Sequence, residues 1–289
     1  MLVTLLALPA LLLIALVFGW PMLRYGWLSF HASSVLTGLE PVPNGTANWQ
    51  RLISDTRFWQ DVIQTGRFAL VSVSVELLLA LAIALLLDQR WRGRGAVRAI
   101  TLLPWALPTT MMALGWRWIF NTPYGPIEQL AGALGLPAFN FLADPSLAWV
   151  VTIAADIWKT TPFITLILLA GLQTIPADLF EAFRLEGGRP HQSLFSITLP
   201  LLVPYILLSL LFRLAQAFGV FDLIQVLTGG GPAGSTESIA VYAYMNAMRF
   251  LDFGYSATVM LGGFVMLSLL IVAAAFLLQA TGVIRAEQP

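Results

Sequence analysis

The chain has no cysteine, so it offers neither a disulfide framework nor a thiolate for nucleophilic, redox or metal chemistry. Histidine is almost as scarce, with only His31 and His191. No His-Glu-x-x-His pair, no glycine-rich phosphate loop closed by Lys-Ser/Thr and no Ser/His/Asp grouping is present. If ATP enters the function, another chain must bind it. Charge is sparse too: 10% of the residues are charged, where a soluble domain carries about 25%. The 15 basic side chains match the 15 acidic ones and the isoelectric point is about 6.7, which removes the electrostatic case for nucleic acid. What remains is apolar, 58% of 289 residues with a mean hydropathy of +0.81. No water-soluble core needs that much apolar surface, so the composition predicts a polytopic membrane protein.

A helix needs about 20 apolar residues to cross roughly 30 Å of hydrocarbon, and the chain supplies six such stretches. The first is 2–23, without the basic start or small-residue cleavage site of a signal peptide, and is read as a retained span. The others are about 62–87, 99–120, 147–172, 201–227 and 255–280. Residues 24–60, broken by Pro41, Pro43 and Asn44-Gly45, read as a folded external loop, with Trp49, Phe58 and Trp59 at the membrane interface. Residues 121–146 read as a second external loop with a short helix, and a further helix is expected near 237–250. The division expected is 1–60, first span plus external loop, and 61–289, a five-helix core. Seven arginines (Arg90, Arg92, Arg94, Arg98, Arg184, Arg189 and Arg285) fall on one side, against Arg24, Arg51, Arg57 and Arg249 on the other. The positive-inside rule then places both termini and the 174–200 connection in the cytoplasm.

That connection is the longest polar one on the inner side. Thr174, Pro176 and Asp178 read as a helix start, a capping hydroxyl followed by proline and an acid near the positive end of the dipole. Leu179, Ala182 and Phe183 recur on one face. Gly187-Gly188 stops the helix, Pro190 begins a second short one running towards Ile197, and Pro200 marks entry into the next span. The expectation is two short helices joined by a glycine bend, with an exposed apolar ridge.

The stretch resembles the EAA loop in permease subunits of ATP-binding-cassette importers. Glu181-Ala182 stands at its opening, Gly187 at its glycine, and Ile197, Leu199 and Pro200 at its close. Three positions depart from the family pattern: Phe183 replaces a second alanine, Glu186 the usual aspartate and Gly188 the usual alanine. Further matches are LLPWALP at 102–108, IWKTTPF at 157–163 and FDLIQVLTGGGP at 221–232, which are similar to the carbohydrate, maltose-type branch. The resemblance runs from about Asn48 onward. It implies an all-α permease with six transmembrane helices and a cytoplasmic coupling loop, in a bacterial inner membrane. It further implies a second homologous permease, two ATPase subunits that hold ATP and Mg, an extracytoplasmic solute-binding protein and a sugar. Carried over by motif, Glu181 anchors an ATPase, Ala182 and Phe183 pack in its cleft, and Gly187 is the pivot.

Charges at membrane depth cost about 2.5–3.5 kcal/mol each on insertion scales, so they must face a wet cavity or a partner. Asp156 and Lys159 lie three apart on the fourth span, Arg213 and Gln216 three apart on the fifth. Such a patch suits a sugar, which asks for many hydrogen bonds and an aromatic face. The resemblance implies ligand positions at Ile157, Lys159, Thr160, Phe163, Arg213, Gln216, Ala217 and Val220. The bland alternative is that Asp156, Lys159 and Arg213 pair among themselves. Glu76 and Arg117 read as an interspan ion pair or interface position. Pro104, Pro108, Pro162 and Pro204 either hinge their spans or give them fixed curvature. Two rival classes stay open: an ion-driven secondary transporter, which should show matched inverted halves, and a membrane enzyme acting on lipid, which should show an interfacial carboxylate or histidine cluster. Neither feature is visible.

Overall fold

A computed structural model describes residues 2–89, 91–137 and 139–280. Arg90 and Arg285, both used in the arginine count, lie outside the described residues. The helices are α1 (Leu2–Ile14), α2 (Trp20–Leu28), α3 (Ala47–Ser54), α4 (Thr56–Asp88), α5 (Arg94–Ala106), α6 (Thr109–Ile119) and α7 (Pro126–Ala133). They continue with α8 (Pro145–Leu172), α9 (Ala177–Leu185), α10 (Pro190–Ser193), α11 (Leu199–Phe218), α12 (Asp222–Leu227), α13 (Ile239–Met248) and α14 (Phe253–Ala280). A two-stranded antiparallel ribbon, β1 (His31–Ala32) and β2 (Val42–Pro43), sets His31 opposite Pro43.

Among the described residues five stretches are long and apolar enough to cross a membrane: Leu6–Leu28, Thr56–Asp88, Pro145–Leu172, Pro190–Phe218 and Phe253–Ala274. A sixth is a bent pair, α5 and α6, meeting at 90°. The architecture is therefore all-α with up to six spans. Three boundaries correct the sequence expectation. The first helical stretch runs to Leu28, because a π turn at Ala15–Gly19 carries it into α2, whose Pro21 sits where no backbone donor is needed. The fifth span ends at Phe218 and not near residue 227; after the break at Gly219, α12 starts as a separate helix. Pro108 divides the third span, since the residue before a proline is pushed to extended backbone, and Leu107 has ψ 137°. Pro104, Pro162 and Pro204 stay inside continuous helices.

The chain divides into two compact units, one combining residues up to Ile63 with Ser238–Leu270, the other made of Gln64–Glu237 and the stretch from Ile271. In the first, Asn48 donates to the carbonyls of Ser29 and His31 at 3.1 and 3.0 Å, holding the 29–32 backbone. Asp55 precedes α4 and accepts the backbone N–H of Arg57 at 2.9 Å. Its other oxygen accepts the hydroxyls of Tyr242, at 2.6 Å, and Tyr255. Burial works against the Asp55 charge, but the two tyrosine bonds and the backbone donors outweigh it and lower its pKa. Burial, then the bond to Asp55, pushes the Tyr242 hydroxyl up to about 12. Phe58 is 1% exposed and packs near Gly262, so it belongs to this core and not to an interfacial belt. Trp59 is 40% exposed.

The second unit is built on α4, α8 and α11. Asp144 caps α8 by accepting from the backbones of Ser146 and Leu147 at 2.9 Å. Ala80, Ala84 and Leu87 of α4, Ile164, Leu168 and Leu172 of α8, and Leu202 of α11 form one apolar cluster. Gly171 lets α8 and α11 approach: a Cβ there would lie 2.6 Å from the Tyr205 ring and 2.8 Å from Leu202 Cδ2. Gly171→Val should therefore force the helices apart at a cost of about 1–3 kcal/mol. Thermal unfolding of the purified protein in detergent should show a lower midpoint; an unchanged midpoint would contradict the close crossing.

Candidate functional site

The buried charges of the second unit converge on one guanidinium. Arg213 of α11 is 2% exposed. Its Nε donates to Glu76 Oε2 at 2.6 Å and its Nη2 to Glu76 Oε1 at 2.9 Å, a two-pronged grip on a carboxylate that is itself 0% exposed. Nη2 also donates to Asp156 Oδ2 at 2.9 Å, and Nη1 to Gln216 Oε1 at 3.0 Å. Three helices, α4, α8 and α11, are joined at this point. Thr160 completes the knot: its hydroxyl lies 2.7 Å from Glu76 Oε1 and 2.6 Å from the Asp156 carbonyl, one proton between two acceptors. Pairing answers the desolvation problem that an ionised group meets at membrane depth. Glu76, which the sequence reading set aside as an interspan ion pair or interface position, is the carboxylate that Arg213 grips with two bonds. Its pairing with Arg213 is what that reading anticipated, but nothing in the local pattern named the partner.

Lys159 does not join the Arg213 network through a direct ion pair. Its Nζ donates to the carbonyl of Leu107 at 2.6 Å. That carbonyl lies at the break between α5 and α6, where a helix C-terminus leaves acceptors without intrahelical donors. A cation there is favoured both by the hydrogen bond and by the helix dipole. Phe163 of α8 stacks on Trp105 of α5, with ring centroids 5.9 Å apart, and meets Phe212 of α11 edge-on at 6.2 Å. Arg117 of α6 donates to the Val226 carbonyl of α12 at 3.3 Å. Of the other residues expected at a ligand site, Gln216 is exposed, Ile157 and Val220 are half-buried, and Ala217 is 1% exposed within the packed interior. The structure thus gathers Thr160, Arg213 and Gln216 into one polar cluster, with Phe163 in an aromatic row beside Trp105 and Phe212.

The polar connection has the expected glycine bend. Helix α9 ends in a double hydrogen bond: Gly188 N–H to Phe183 O at 2.9 Å and Gly187 N–H to Arg184 O at 3.0 Å. Gly187 has φ +84°, the left-handed conformation this stop requires. Leu179 and Leu185 are 43% and 89% exposed, and Glu181 and Ala182 are also exposed, so α9 presents an apolar ridge beside an acid. Two details differ from expectation. Thr174 does not cap α9; its hydroxyl donates back to the Gly171 carbonyl at 2.7 Å and finishes α8. The second short helix is not separate either: from Pro190 it passes through a π turn at Leu194–Thr198 into α11, with Pro200 in its first turn. Two of the three residues that depart from the EAA pattern, Phe183 and Gly188, are linked. The Phe183 ring lies over the Gly188 backbone, in the space a Cβ at 188 would occupy.

A polytopic helical protein with paired intramembrane charges and an exposed, hinged polar loop is the class these features define. The profile of the binding-protein-dependent transport system inner membrane component family matches residues 76–282, and the chain belongs to that family. It is 41% identical over 91% of its length, and 88% of the relative's, to the trehalose/maltose transport system permease protein MalF of Thermococcus litoralis. It is 35% identical, over 89% and 83%, to the sulfoquinovosyl glycerol transport system permease protein SmoG of Agrobacterium fabrum. In fold it is similar to a chain of a bacterial alginate ABC transporter solved with an alginate-bound periplasmic protein, with a TM-score of 0.82, 20% identity, and coverage of 97% and 94%.

Two pairs of substitutions test this geometry. Arg213→Met leaves the Glu76 and Asp156 carboxylates buried without their shared cation and should cost about 3–5 kcal/mol; adding Glu76→Ala should restore part of the loss. Unfolding midpoints of the four combinations measure this, and losses that simply add would contradict the pairing. Gly188→Ala should overpack against Phe183 by about 1–3 kcal/mol, and Phe183→Ala should relieve it. Equal penalties with and without Phe183, read from the same unfolding scans, would contradict the contact.

Proposed function

We propose that this chain is half of the membrane path of a sugar importer driven by an ATP-binding-cassette motor. A second, homologous permease forms the other half. Two ATPase subunits supply ATP and Mg sites, and a solute-binding protein delivers the sugar from outside. Both termini and the α9 loop face the cytoplasm, in keeping with the arginine bias. The observation that carries the reading is the α9 loop itself. It is a short helix with an exposed ridge, hinged at Gly187, and its two ends lead directly into α8 and α11, the helices that Asp156 and Arg213 tie together. A push on α9 is therefore delivered to two spans already joined by charge. Glu181 is the acid that contacts the ATPase, Ala182 and Phe183 fill its cleft, and Gly187 sets the angle.

Substrate meets Gln216, Lys159, Thr160 and Phe163, along with Ile157, Ala217 and Val220, while Arg213 holds Gln216 in place. Gln216 gives its oxygen to Arg213, which leaves its amide N–H groups to be offered to a hydroxyl. Arg213 is engaged by two carboxylates, and this favours a neutral sugar over an acidic one. The relatives named for trehalose and maltose point the same way, and the one named for sulfoquinovosyl glycerol, a sulfonate, points the other.

The test is ATPase activity of the purified complex. Solute-binding protein with trehalose or maltose should stimulate it, and Glu181→Lys should abolish the stimulation by about tenfold or more, the scale of ~1.4 kcal/mol at the contact. Normal stimulation in Glu181→Lys would overturn the docking role. Failure of every neutral disaccharide to stimulate would overturn the substrate class.

A further inference from the structure

Helices α5 and α8, with Leu87 of α4, line an open-sided cavity of about 280 Å³ that the transport reading does not use. Its wall is graded along the helix axes. Arg98, near the start of α5, and Gln173, just past the end of α8, form one end; Thr101 and Leu102 lie about one turn in from Arg98, and Ala170, Leu166 and Thr165 lie one to two turns in from Gln173, the Thr165 hydroxyl being spent on the Thr161 carbonyl at 2.9 Å. Arg98 is held at this end by a bond from Nη2 to the Leu87 carbonyl at 2.9 Å, one of the acceptors left open where α4 ends. Its Nε is buried and has no partner among the described residues. A guanidinium donor without an acceptor costs free energy unless something outside this set of side chains meets it. The neighbouring sequence adds charge of the same sign: Arg90, Arg92 and Arg94 stand with Arg98 against the single acid Asp88. Arg94 is spent on the carbonyls of Asp88, the last residue of α4, and of Gln89 just beyond it.

We propose that this cavity binds one anionic phospholipid of the adjoining leaflet. Its phosphate accepts from Arg98 Nε, its glycerol region lies at Thr101 and Gln173, and one acyl chain runs along Leu102, Leu166 and Ala170. A phosphate supplies the missing acceptor, and an acyl chain fills an apolar channel that water would fill poorly. The excess of arginine selects an anionic headgroup over a zwitterionic one, since basic segments at a membrane surface attract anionic lipid. A free phosphate would satisfy Arg98 but leave the apolar part empty. The proposal rests on the chain spanning a membrane and not on the sugar reading, so the two can fail separately.

The test uses the complete transporter in nanodiscs of phosphatidylcholine with or without phosphatidylglycerol. Native mass spectrometry after extraction should find phosphatidylglycerol retained by this chain. Arg98→Gln should lower retention about tenfold, as loss of a charge-assisted bond does. Ala170→Trp, which fills the apolar end and keeps Arg98, should lower it as well. Inorganic phosphate should not displace the lipid. Equal retention in both variants would overturn the proposal, as would displacement by inorganic phosphate, which would mark a headgroup-only anion site. A photoreactive phosphatidylglycerol on the unaltered complex covers the case in which either variant fails to assemble. Labelling of 98–102 or 166–170 supports the site, and labelling confined to other segments overturns it.

Discussion

The structure of the second unit depends on a single electrostatic constraint. A charge carried into hydrocarbon must find its opposite, and here Glu76, Asp156 and Arg213 find one another across three helices. Each of α4, α8 and α11 contributes one member. Separating any pair leaves a buried ion without a partner, which is far more costly than parting apolar faces, because lipid solvates leucine as well as protein does. The apolar cluster of Ala80, Ile164 and Leu202 fixes spacing; the ion triad fixes register.

From that constraint the coupling geometry follows. Helix α9 hangs between α8 and α10, and α10 passes without a break into α11. On the proposed reading, the spans that would receive force from the loop are the spans bound by the triad, which also ties them to α4. The bent pair α5 and α6 is attached differently. Lys159 reaches from α8 to the open carbonyl at Leu107, the point where the 90° bend occurs. A lysine at a helix end is a softer tie than a doubly hydrogen-bonded arginine, because it is one mobile donor on a flexible stem.

Much of the fold was legible in the sequence because membrane spans announce themselves by length and apolarity alone. The glycine stop at 187 was legible too, since a left-handed residue must be supplied locally. What escaped was contact between distant positions. Arg213 and Glu76 are 137 residues apart, and no periodicity reports such a pairing. Thr174 was misread because a hydroxyl between two helices can serve either, and it served the one behind it. Phe183 and Gly188 looked like two unrelated departures; only the packing of the ring over the glycine shows that each permits the other. The span limits near residues 23 and 227 were misplaced because hydropathy does not register a π turn or the short break at Gly219.

The central claim is that an ATPase grips the α9 loop and drives the charge-locked spans through it. Absence of native cysteine makes this directly measurable. A single cysteine at position 181, paired with one in the cleft of the ATPase, should form a disulfide in the assembled complex, with a yield that changes when ATP binds. A cysteine at position 36, on the exposed loop expected outside, should form none. A bond from position 36 and none from position 181 would contradict the account.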